Sequence, residues 1–389
     1  MKSKPAAKNS VRLLRCMYLM MICFMMKCVL FGASEGTTAA NFLKIPIGVR
    51  NVSMGETGAA SFDINAMYYN PAGLGWLNRP MLTFTHNQHF QNVYYEHFAG
   101  EMPISDIGVF GASIYYLGMG KFQGYDASGN PEADVSAYDS AIAISYGRYI
   151  WGERIEGAGL SVGGTLKYIY SKLDDASASA VGLDIGAIYM FLPSRYTLEN
   201  PLALGLSFQN IGSKMKYDAE SAPLPFNAKL GLHYTFVDLK LQPIVMIDLN
   251  QGRDNDLYVS LGGEVWVIRE LLGLRAGYVT KGSRETDSGL RFGIGLKALG
   301  LLMDYAYSGF GDLGISHRFG LTIDFSMPRF ISGGTTDVNS IYKRGVEYYN
   351  QKRYAEAILE FNQVLELDPT NREALEYMSR ANKEMNEQR

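Results

Sequence analysis

The sequence predicts a mainly β protein: an antiparallel transmembrane β-barrel of about 14 strands with an N-terminal plug, followed by a small all-α module. Three observations predict it. Glycine (42) and tyrosine (26) are abundant among the 389 residues, whereas charged residues are only 19%. This composition fits many short strands better than a leucine-rich helical protein. Polar and apolar residues alternate along residues 80–327, and the alternation stops abruptly after that range.

The first 34 residues form a predicted secretory signal. Their early basic residues are Lys2, Lys4, Lys8, Arg12 and Arg15. The apolar stretch MYLMMICFMM follows, and the small residues Gly32 and Ser34 lie at a plausible cleavage point. A membrane-anchor helix is the alternative, but Lys27 interrupts a run that is already short for a span of about 20 residues.

All three cysteines, Cys16, Cys23 and Cys28, lie inside this signal. The mature chain is therefore expected to have no disulfide, no thiolate metal site and no cysteine nucleophile. Removing the six positive charges of residues 1–34 takes the net charge from −3 to about −9. Such an acidic chain is not expected to bind nucleic acid.

Residues 80–327 carry the predicted barrel. In the stretch GAGLSVGGTLKYIYS, Leu160, Leu166 and Tyr168 share one face, whereas Thr165 and Lys167 share the other. Candidate strands lie near 80–88, 92–101, 106–117, 136–150, 157–172, 178–192, 201–213, 224–237, 240–250, 256–268, 271–281, 286–299, 300–308 and 314–327. An even count of long strands is typical of a membrane barrel, and a large soluble β-sandwich or propeller is the alternative.

Charged residues within these strands fall on the face opposite the apolar set. They are Lys167, Asp184, Lys229, Glu264, Arg275, Arg291, Lys297, Asp304 and Asp324. An arginine or lysine facing lipid at mid-depth costs about 2 to 4 kcal/mol, so this consistent phase predicts a polar lumen and an apolar outer face. The stretch FGLTIDFS is expected to be the last strand and to pair with the first.

Residues 35–79 form the predicted plug, which has no sustained two-residue period. Its most distinctive motif is the corner Asn70-Pro71-Ala72-Gly73. Asn70 can start a turn through its side-chain amide, Pro71 fixes φ, and Gly73 is expected to adopt the positive φ that closes the reversal. An ordinary surface turn is the alternative.

The block from Gly48 to Leu77 resembles the N-terminal plug of FadL-family outer-membrane transporters and their PorV/PorQ relatives. An arginine, a Met-Gly pair and a Tyr-Tyr-Asn-Pro-Ala run occur in the same order here, as Arg50, Met54-Gly55 and residues 68–72. The resemblance implies a 14-stranded barrel closed by its own N-terminal segment, with the Asn70 corner delivering the chain into the first strand.

Residues 328–337 are a predicted linker, and residues 338–389 are predicted to hold one tetratricopeptide repeat and a capping helix. The expected packing residues are Gly345, Tyr348, Ala357, Phe361 and Pro369. A generic helical hairpin is the alternative. Because a single repeat buries little surface, the apolar surface around Tyr342, Tyr348 and Phe361 is expected to stay partly uncovered unless a partner binds.

No motif in the sequence amounts to an active site, so the protein is not expected to be an enzyme or to carry a cofactor or metal. Gly159-Leu160-Ser161-Val162-Gly163 matches a hydrolase pattern, but that chemistry needs a strand-to-helix turn and this motif lies within a strand. The five histidines are His86, His89, His97, His233 and His317. They form no helical pair typical of a metal site.

The resemblance implies a monomeric barrel in the cell outer membrane that takes up hydrophobic molecules such as long-chain fatty acids. It assigns no ligand-binding residue. A PorV-like scaffold for secretion or envelope assembly, without transport, is the alternative. In either case the helical module is expected in the periplasm, where it would bind a protein partner. A soluble β-rich binding protein is a third possibility, which the strand phase disfavours.

Overall fold

The structure is a computed structural model. It describes residues 36–89, 93–120, 122–153, 158–191, 202–218, 220–236, 239, 241–268, 271–280, 289–309, 314–325, 338–367 and 371–387. The predicted signal at 1–34 and linker at 328–337 lie outside the described residues. The chain divides into two compact units, Met1–Phe325 and Ser326–Arg389. No described helix has the length and apolar character needed to cross a membrane.

Fourteen antiparallel strands close into a barrel, which confirms the predicted fold class. The strands of the chain are β1 (Met81–Gln88), β2 (Val93–Ile104), β3 (Gly108–Met119), β4 (Ala137–Glu153), β5 (Ala158–Leu173), β6 (Ala176–Phe191), β7 (Leu202–Gly212), β8 (Met215–Tyr217), β9 (Glu220–Ala222), β10 (Asn227–Thr235), β11 (Ile244–Gly252), β12 (Tyr258–Val267), β13 (Leu272–Val279), β14 (Leu290–Ala298), β15 (Leu301–Gly309) and β16 (Ile315–Asp324). The short strands β8 and β9 form a separate hairpin that the sequence did not predict.

Each barrel strand pairs with its neighbours in the chain, except that β7 pairs with β10 across the β8–β9 hairpin. The barrel closes where β1 pairs with β16, with Met81 opposite Asp324 and Gln88 opposite His317. We call the end where β1 begins and β16 ends the near end, and the opposite end the far end. The wall is uneven because β4 has 17 residues whereas β1 has 8.

The two faces of the strands differ in polarity as predicted. Outward-facing apolar side chains such as Phe84 (46% exposed) and Leu166 (56%) cover the outside of the barrel. Inward-facing Lys167, Asp184 and Arg275 are buried in the lumen. The period of two therefore separates a surface suited to lipid from a polar interior that can hold charges and hydrogen bonds.

The described part of the predicted plug lies within the barrel. It consists of the short 3₁₀ helices η1 (Asn41–Lys44) and η2 (Pro71–Trp76) and the short α-helices α1 (Val49–Ser53) and α2 (Ala66–Tyr69). The segment starts at the far end, where the Ala39 amide donates to the Pro223 carbonyl at 2.9 Å. From there it crosses the lumen and enters β1 at the near end.

The described residues of the second unit form three helices, α3 (Val338–Asn350), α4 (Tyr354–Leu367) and α5 (Arg372–Glu387). Ala357 and Phe361 are fully buried. A side chain on Gly345 would lie 2.7 Å from the Phe361 ring, so glycine lets α3 and α4 approach closely. Tyr348 is half-buried beneath the Arg353 guanidinium, which lies 4.5 Å from its ring centre. Pro369 lies outside the described residues.

Of the surface expected to stay partly uncovered, Phe361 is fully buried, so the expectation is wrong for this residue, whereas Tyr342 and Tyr348 are half-buried. The third helix, α5, places Tyr377 on Phe361 in a stacked arrangement, with 5.5 Å between ring centres. Tyr377 also makes an edge contact with Tyr342 at 6.0 Å. The capping helix therefore covers the apolar seam that a further repeat would otherwise cover.

Candidate functional site

The corner at Asn70 joins three parts of the molecule. The Asn70 side-chain oxygen accepts a hydrogen bond from the Ala72 amide at 3.1 Å and so caps η2. Its amide nitrogen donates to the Ala59 carbonyl at 2.6 Å within the plug. The same nitrogen lies 3.3 Å from the carbonyls of Ala187 on β6 and Leu206 on β7. One buried side chain thus fixes the plug's own turn and connects it to the barrel wall.

The rest of the corner packs tightly. Ala72 is fully buried, and Pro71 occupies the first position of η2, where its missing N–H is not needed. Gly73 lies inside η2 and does not adopt the positive φ expected from the sequence, so that expectation is wrong. Glycine is required there for another reason: a Cβ would lie 2.2 Å from the Ser61 carbonyl oxygen. The role of residues 70–73 as the functional motif of the plug stays a prediction.

A ring of strand glycines, which we call the glycine belt, lets the plug approach the wall. Each belt glycine faces the plug at a point where an added Cβ would lie within 3 Å of a plug atom. Its members are Gly111, Gly147, Gly163, Gly186, Gly205, Gly231, Gly262, Gly277, Gly293 and Gly320. The closest approach is 1.8 Å, from such a Cβ on Gly205 to the Ala59 carbonyl. The plug therefore packs directly on strand backbone around most of the circumference, with its own backbone at Gly147, Gly163, Gly205, Gly262 and Gly277 and with side chains at the other belt glycines.

A chain of buried charges, the Arg50 network, holds the first half of the plug. Arg50 makes two hydrogen bonds of 2.9 Å to Glu264 on β12 and one of 2.7 Å to Asp63 within the plug. Glu264 also accepts from Arg275 at 2.6 Å, and Arg275 reaches Asp304 at 2.5 Å. Removing one member of such a buried network leaves its partner uncompensated, which is far costlier than losing a surface pair.

Asp248 on β11 binds the plug through its backbone. Its carboxylate accepts hydrogen bonds from the Gly58 amide at 2.8 Å and the Ala59 amide at 2.9 Å, while Lys229 lies 3.8 Å away. Two adjacent backbone N–H groups directed at one carboxylate form a small anion-binding site. Asp248 is fully buried, so this contact is shielded from solvent.

The start of the plug is fastened at the far end. Asp254 accepts from the Thr38 hydroxyl at 2.7 Å and forms an ion pair of 2.5 Å with Lys44. Farther along, Arg318 on β16 donates to the Pro46 carbonyl. Both contacts lie toward the far end, so they hold the beginning of the segment's path through the lumen.

Two adjacent tyrosines brace the plug internally. The Tyr68 hydroxyl donates to the Leu43 carbonyl at 2.9 Å, and the Tyr69 hydroxyl donates to the Ile47 carbonyl at 2.9 Å. Burial, together with nearby acidic groups such as Glu56, raises the pKa of both phenols well above its usual range. Both side chains therefore stay neutral hydrogen-bond donors at any physiological pH.

A cavity of about 40 Å³ lies beside these tyrosines. Its lining includes Lys44, Glu56, Lys229 and Asp254. A space of this size with charged walls suits a few ordered water molecules, because sites for drug-sized ligands need about 300 Å³ or more and are mostly apolar. Larger clefts lie at the far end: one of about 460 Å³ includes Asp139 and Tyr217 in its lining.

The sequence motifs that suggest catalysis occupy structural positions. Ser161 is buried in the lumen within β5 and donates to the Ile188 carbonyl at 3.4 Å. His86 faces outward and lies 2.7 Å from Glu96. Within the described ranges, no group of three or more histidine, cysteine, aspartate or glutamate side chains is arranged to hold a metal ion.

Comparison with known families identifies the barrel. The model of the family described as type IX secretion system protein PorV matches residues 33–251. The chain belongs to the PorV family. A second model, the tetratricopeptide repeat, matches residues 338–371. The protein is thus an outer-membrane β-barrel of the PorV family whose C-terminal region carries a tetratricopeptide repeat, and the predicted family resemblance is confirmed.

Several solved structures are similar to this chain. The toluene transporter TbuX of Ralstonia pickettii is 14% identical, with a TM-score of 0.49, over 72% of this chain and 97% of TbuX. The Pseudomonas putida toluene transporter TodX is 14% identical, with a TM-score of 0.47, over 71% and 96%. A Pseudomonas aeruginosa FadL homologue is 11% identical, with a TM-score of 0.44, over 76% and 100%. No curated protein sequence matches the chain.

Sequence reasoning placed several network residues in the lumen but did not find their partners. Glu264, Arg275 and Asp304 were expected to face inward, and they do. Their connection to Arg50 was not predicted, because the two ends of the Arg50–Glu264 pair are 214 residues apart. Asp248 was missed altogether. The glycine belt could have been recognised from the sequence, because its members occupy the inward-facing positions of their strands.

Proposed function

We propose that this protein is an outer-membrane component of protein secretion that acts as a scaffold rather than as a solute channel. The observation that carries the proposal is the attachment of the plug to the barrel by the glycine belt and the Arg50 network. Its family membership supports the link to secretion, because the matching family is described as a type IX secretion system protein.

Removal of the whole plug from the lumen would be costly. It would strip Glu264 of the Arg50 charge and would leave Asp248 without its two backbone donors. Breaking a buried ion pair of this kind costs about 3 to 5 kcal/mol. A plug that must leave and return in each transport cycle would not be fastened in this way, so we infer that most of it stays in place.

The internal cavity also argues against a fatty acid route through the lumen. A fatty acid needs an elongated apolar pocket with a few polar groups at one end. The cavity beside Tyr68 and Tyr69 is small, and Lys44, Glu56 and Lys229 contribute to its wall. Charges in that position favour water over a hydrocarbon chain.

Transport of hydrophobic molecules, such as long-chain fatty acids, remains the second candidate function. The observation that favours it is a far-end cleft of about 200 Å³ whose lining includes Leu117, Met119 and Leu173. These apolar side chains provide a binding surface for a hydrophobic ligand. A transport path that starts at this cleft would have to bypass the plug residues that contact the glycine belt.

The helical module supports the scaffold function. We propose that it lies in the periplasm and binds a protein partner through helix surfaces that are not used inside the module. Tetratricopeptide repeats form protein-binding surfaces from such helices, whereas a transporter has no evident need of one. Gly345, Tyr348, Ala357 and Phe361 then act as packing residues that shape the module rather than as contacts to the partner.

The test compares secretion and uptake in one strain. The gene is deleted and complemented with the full chain or with a chain truncated after Ser332. Proteins released to the medium are quantified by mass spectrometry, and uptake of a fluorescent long-chain fatty acid is measured in parallel. We expect deletion to abolish secretion of a set of proteins while fatty acid uptake stays unchanged.

The truncated chain separates the two parts of the proposal. If the module binds a partner, in-cell crosslinking should recover a specific protein with the full chain and lose it with the truncated chain. Unchanged crosslinks combined with lower barrel stability would instead indicate packing of the module on its own barrel. Loss of fatty acid uptake with an unaltered set of secreted proteins would overturn the scaffold function in favour of transport.

A further inference from the structure

The adjacent strands β1 and β2 differ from most of the barrel in how they meet the plug. Neither strand contributes a glycine to the belt. In the part of the chain that the structure describes, no hydrogen bond or ion pair joins the plug to β1 or β2. Most other strands are tied to it, for example by Gln209 on β7, Asp248 on β11 and Glu264 on β12. Among the described residues β15 shares both features with β1 and β2, but its neighbours β14 and β16 each carry a belt glycine and a polar contact to the plug.

The same wall carries buried polar atoms that have no hydrogen-bond partner. They are Asn87 Nδ2, the Tyr95 hydroxyl, both His97 ring nitrogens and both Glu101 carboxyl oxygens. All four residues point into the lumen and are at most 5% exposed. A buried polar group without a partner lowers stability, because it has lost water and gained nothing in exchange.

These residues form one line from the far end toward the near end. Across the β1–β2 pair, Asn87 lies opposite Tyr95, Thr85 opposite His97, and Met81 opposite Glu101. Between the polar positions the wall touches the plug through apolar contacts. Ala99, for example, is fully buried in a cluster with Ile64 and Met67 of the plug.

We propose that the plug separates from the barrel first along this β1–β2 seam, while the other strands hold it in place. Separation there breaks no hydrogen bond or ion pair between the plug and these two strands, and it lets water bind the side chains of Asn87, Tyr95, His97 and Glu101. On the walls formed by β4 to β7 and by β10 to β14, the same movement would break hydrogen bonds, ion pairs or close contacts with belt glycines. Water is the expected occupant of the opened seam, because these four side chains are polar and face the lumen.

This inference concerns where the plug moves and does not rest on the proposed secretion function. A scaffold and a transporter would both have a weakest plug contact. Its test therefore uses the purified protein alone and involves neither secretion nor fatty acid uptake.

The experiment exploits the absence of cysteine from residues 35–389. Single cysteines are introduced at two seam positions, Thr85→Cys and Ala99→Cys. Their matched controls on fastened walls are Thr165→Cys on β5 and Ala203→Cys on β7. All four wild-type side chains are inward-facing and at most 4% exposed. The rate of reaction with a charged methanethiosulfonate reagent is measured in lipid nanodiscs, and the heat-dependent gel shift verifies that each variant is folded.

We expect both seam cysteines to react at least about tenfold faster than their controls, which corresponds to an opening free energy lower by about 1.4 kcal/mol. Equal rates within each pair, or faster reaction of the controls, would overturn the proposal. A second measurement addresses the cause: adding His97→Leu to Thr85→Cys removes two unpartnered nitrogens and should slow the labelling severalfold. Unchanged or faster labelling would show that these polar atoms do not promote opening.

Discussion

The two halves of the plug are held by different physical means. The first half, residues 49–63, is held by the buried charges of the Arg50 network and by belt glycines on β12, β13 and β14. The second half, residues 65–77, makes no ion pair with the barrel among the described residues. Shape fit and uncharged hydrogen bonds, made by Asn70, Gln209 and Thr165, hold it against β4, β5, β6 and β7. The first half should therefore respond most to changes of charge, and the second to changes of volume.

The charge-held half should show the largest effect. Glu264→Gln keeps the shape but removes the negative charge between Arg50 and Arg275. Arg50 keeps Asp63 and Arg275 keeps Asp304, but both buried guanidinium groups lose the charged acceptor that joins them. We therefore expect a loss of about 3 to 5 kcal/mol in the free energy of unfolding. This loss is measured by urea titration, in which the heat-dependent change in gel mobility reports the folded fraction.

Glu96→Gln is the matched control for this change. Glu96 is a half-exposed carboxylate that faces outward beside His86. Its removal should cost at most about 1 kcal/mol. If Glu264→Gln is no more harmful than this control, buried charge does not hold the first half of the plug.

The shape-held half should respond to a single methyl group. Gly163→Ala places a Cβ 2.4 Å from Pro71, where backbone atoms on both sides prevent an easy adjustment. We expect overpacking to cost about 1 to 3 kcal/mol by the same urea assay. Gly164→Ala, on the neighbouring residue, meets its nearest neighbour at an ordinary 3.5 Å and should change stability by less than about 0.5 kcal/mol. Equal effects of the two substitutions would show that the belt is not tightly packed.

The Asn70 corner distinguishes hydrogen bonding from shape within the second half. Asn70→Ala loses the cap and the three carbonyl contacts, so we expect a loss of about 1 to 3 kcal/mol. Asn70→Asp keeps the cap acceptor but directs a negative charge at the carbonyls of Ala59, Ala187 and Leu206. It should therefore be more harmful than alanine despite its closer shape. The opposite order would mean that the cap, rather than the carbonyl contacts, dominates at this position.

How well the sequence predicts a feature depends on how far apart in the chain the residues that form it lie. The alternation of polar and apolar residues predicts that Lys167 and Glu264 face the lumen, because the face on which a side chain lies depends only on its position in its own strand. It cannot assign Arg50 to Glu264, since that pair depends on how a non-periodic segment folds inside a closed barrel. Gly73 illustrates a second limit: the need for glycine was predictable, but the sequence suggested a positive φ where the cause is contact with Ser61. In the helical module, Tyr377 was missed because covering Phe361 depends on how a third helix packs.

The smallest effect should come from an ion pair outside the plug's buried contacts. Arg79 lies just after the shape-held half and approaches Asp324 on β16 at 3.4 Å, with 56% of its side chain exposed. Solvent and salt screen such a pair, and ordering a long side chain offsets most of the attraction. Arg79→Ala should therefore change the free energy of unfolding by about 0 to 1 kcal/mol, and the change should shrink further at high salt. Glu264→Gln should keep most of its effect in the same salt series, because its partners are buried. A large loss of stability from Arg79→Ala that persists at high salt would contradict this explanation. It would show that the difference between the Arg50 network and the Arg79–Asp324 pair does not arise from burial.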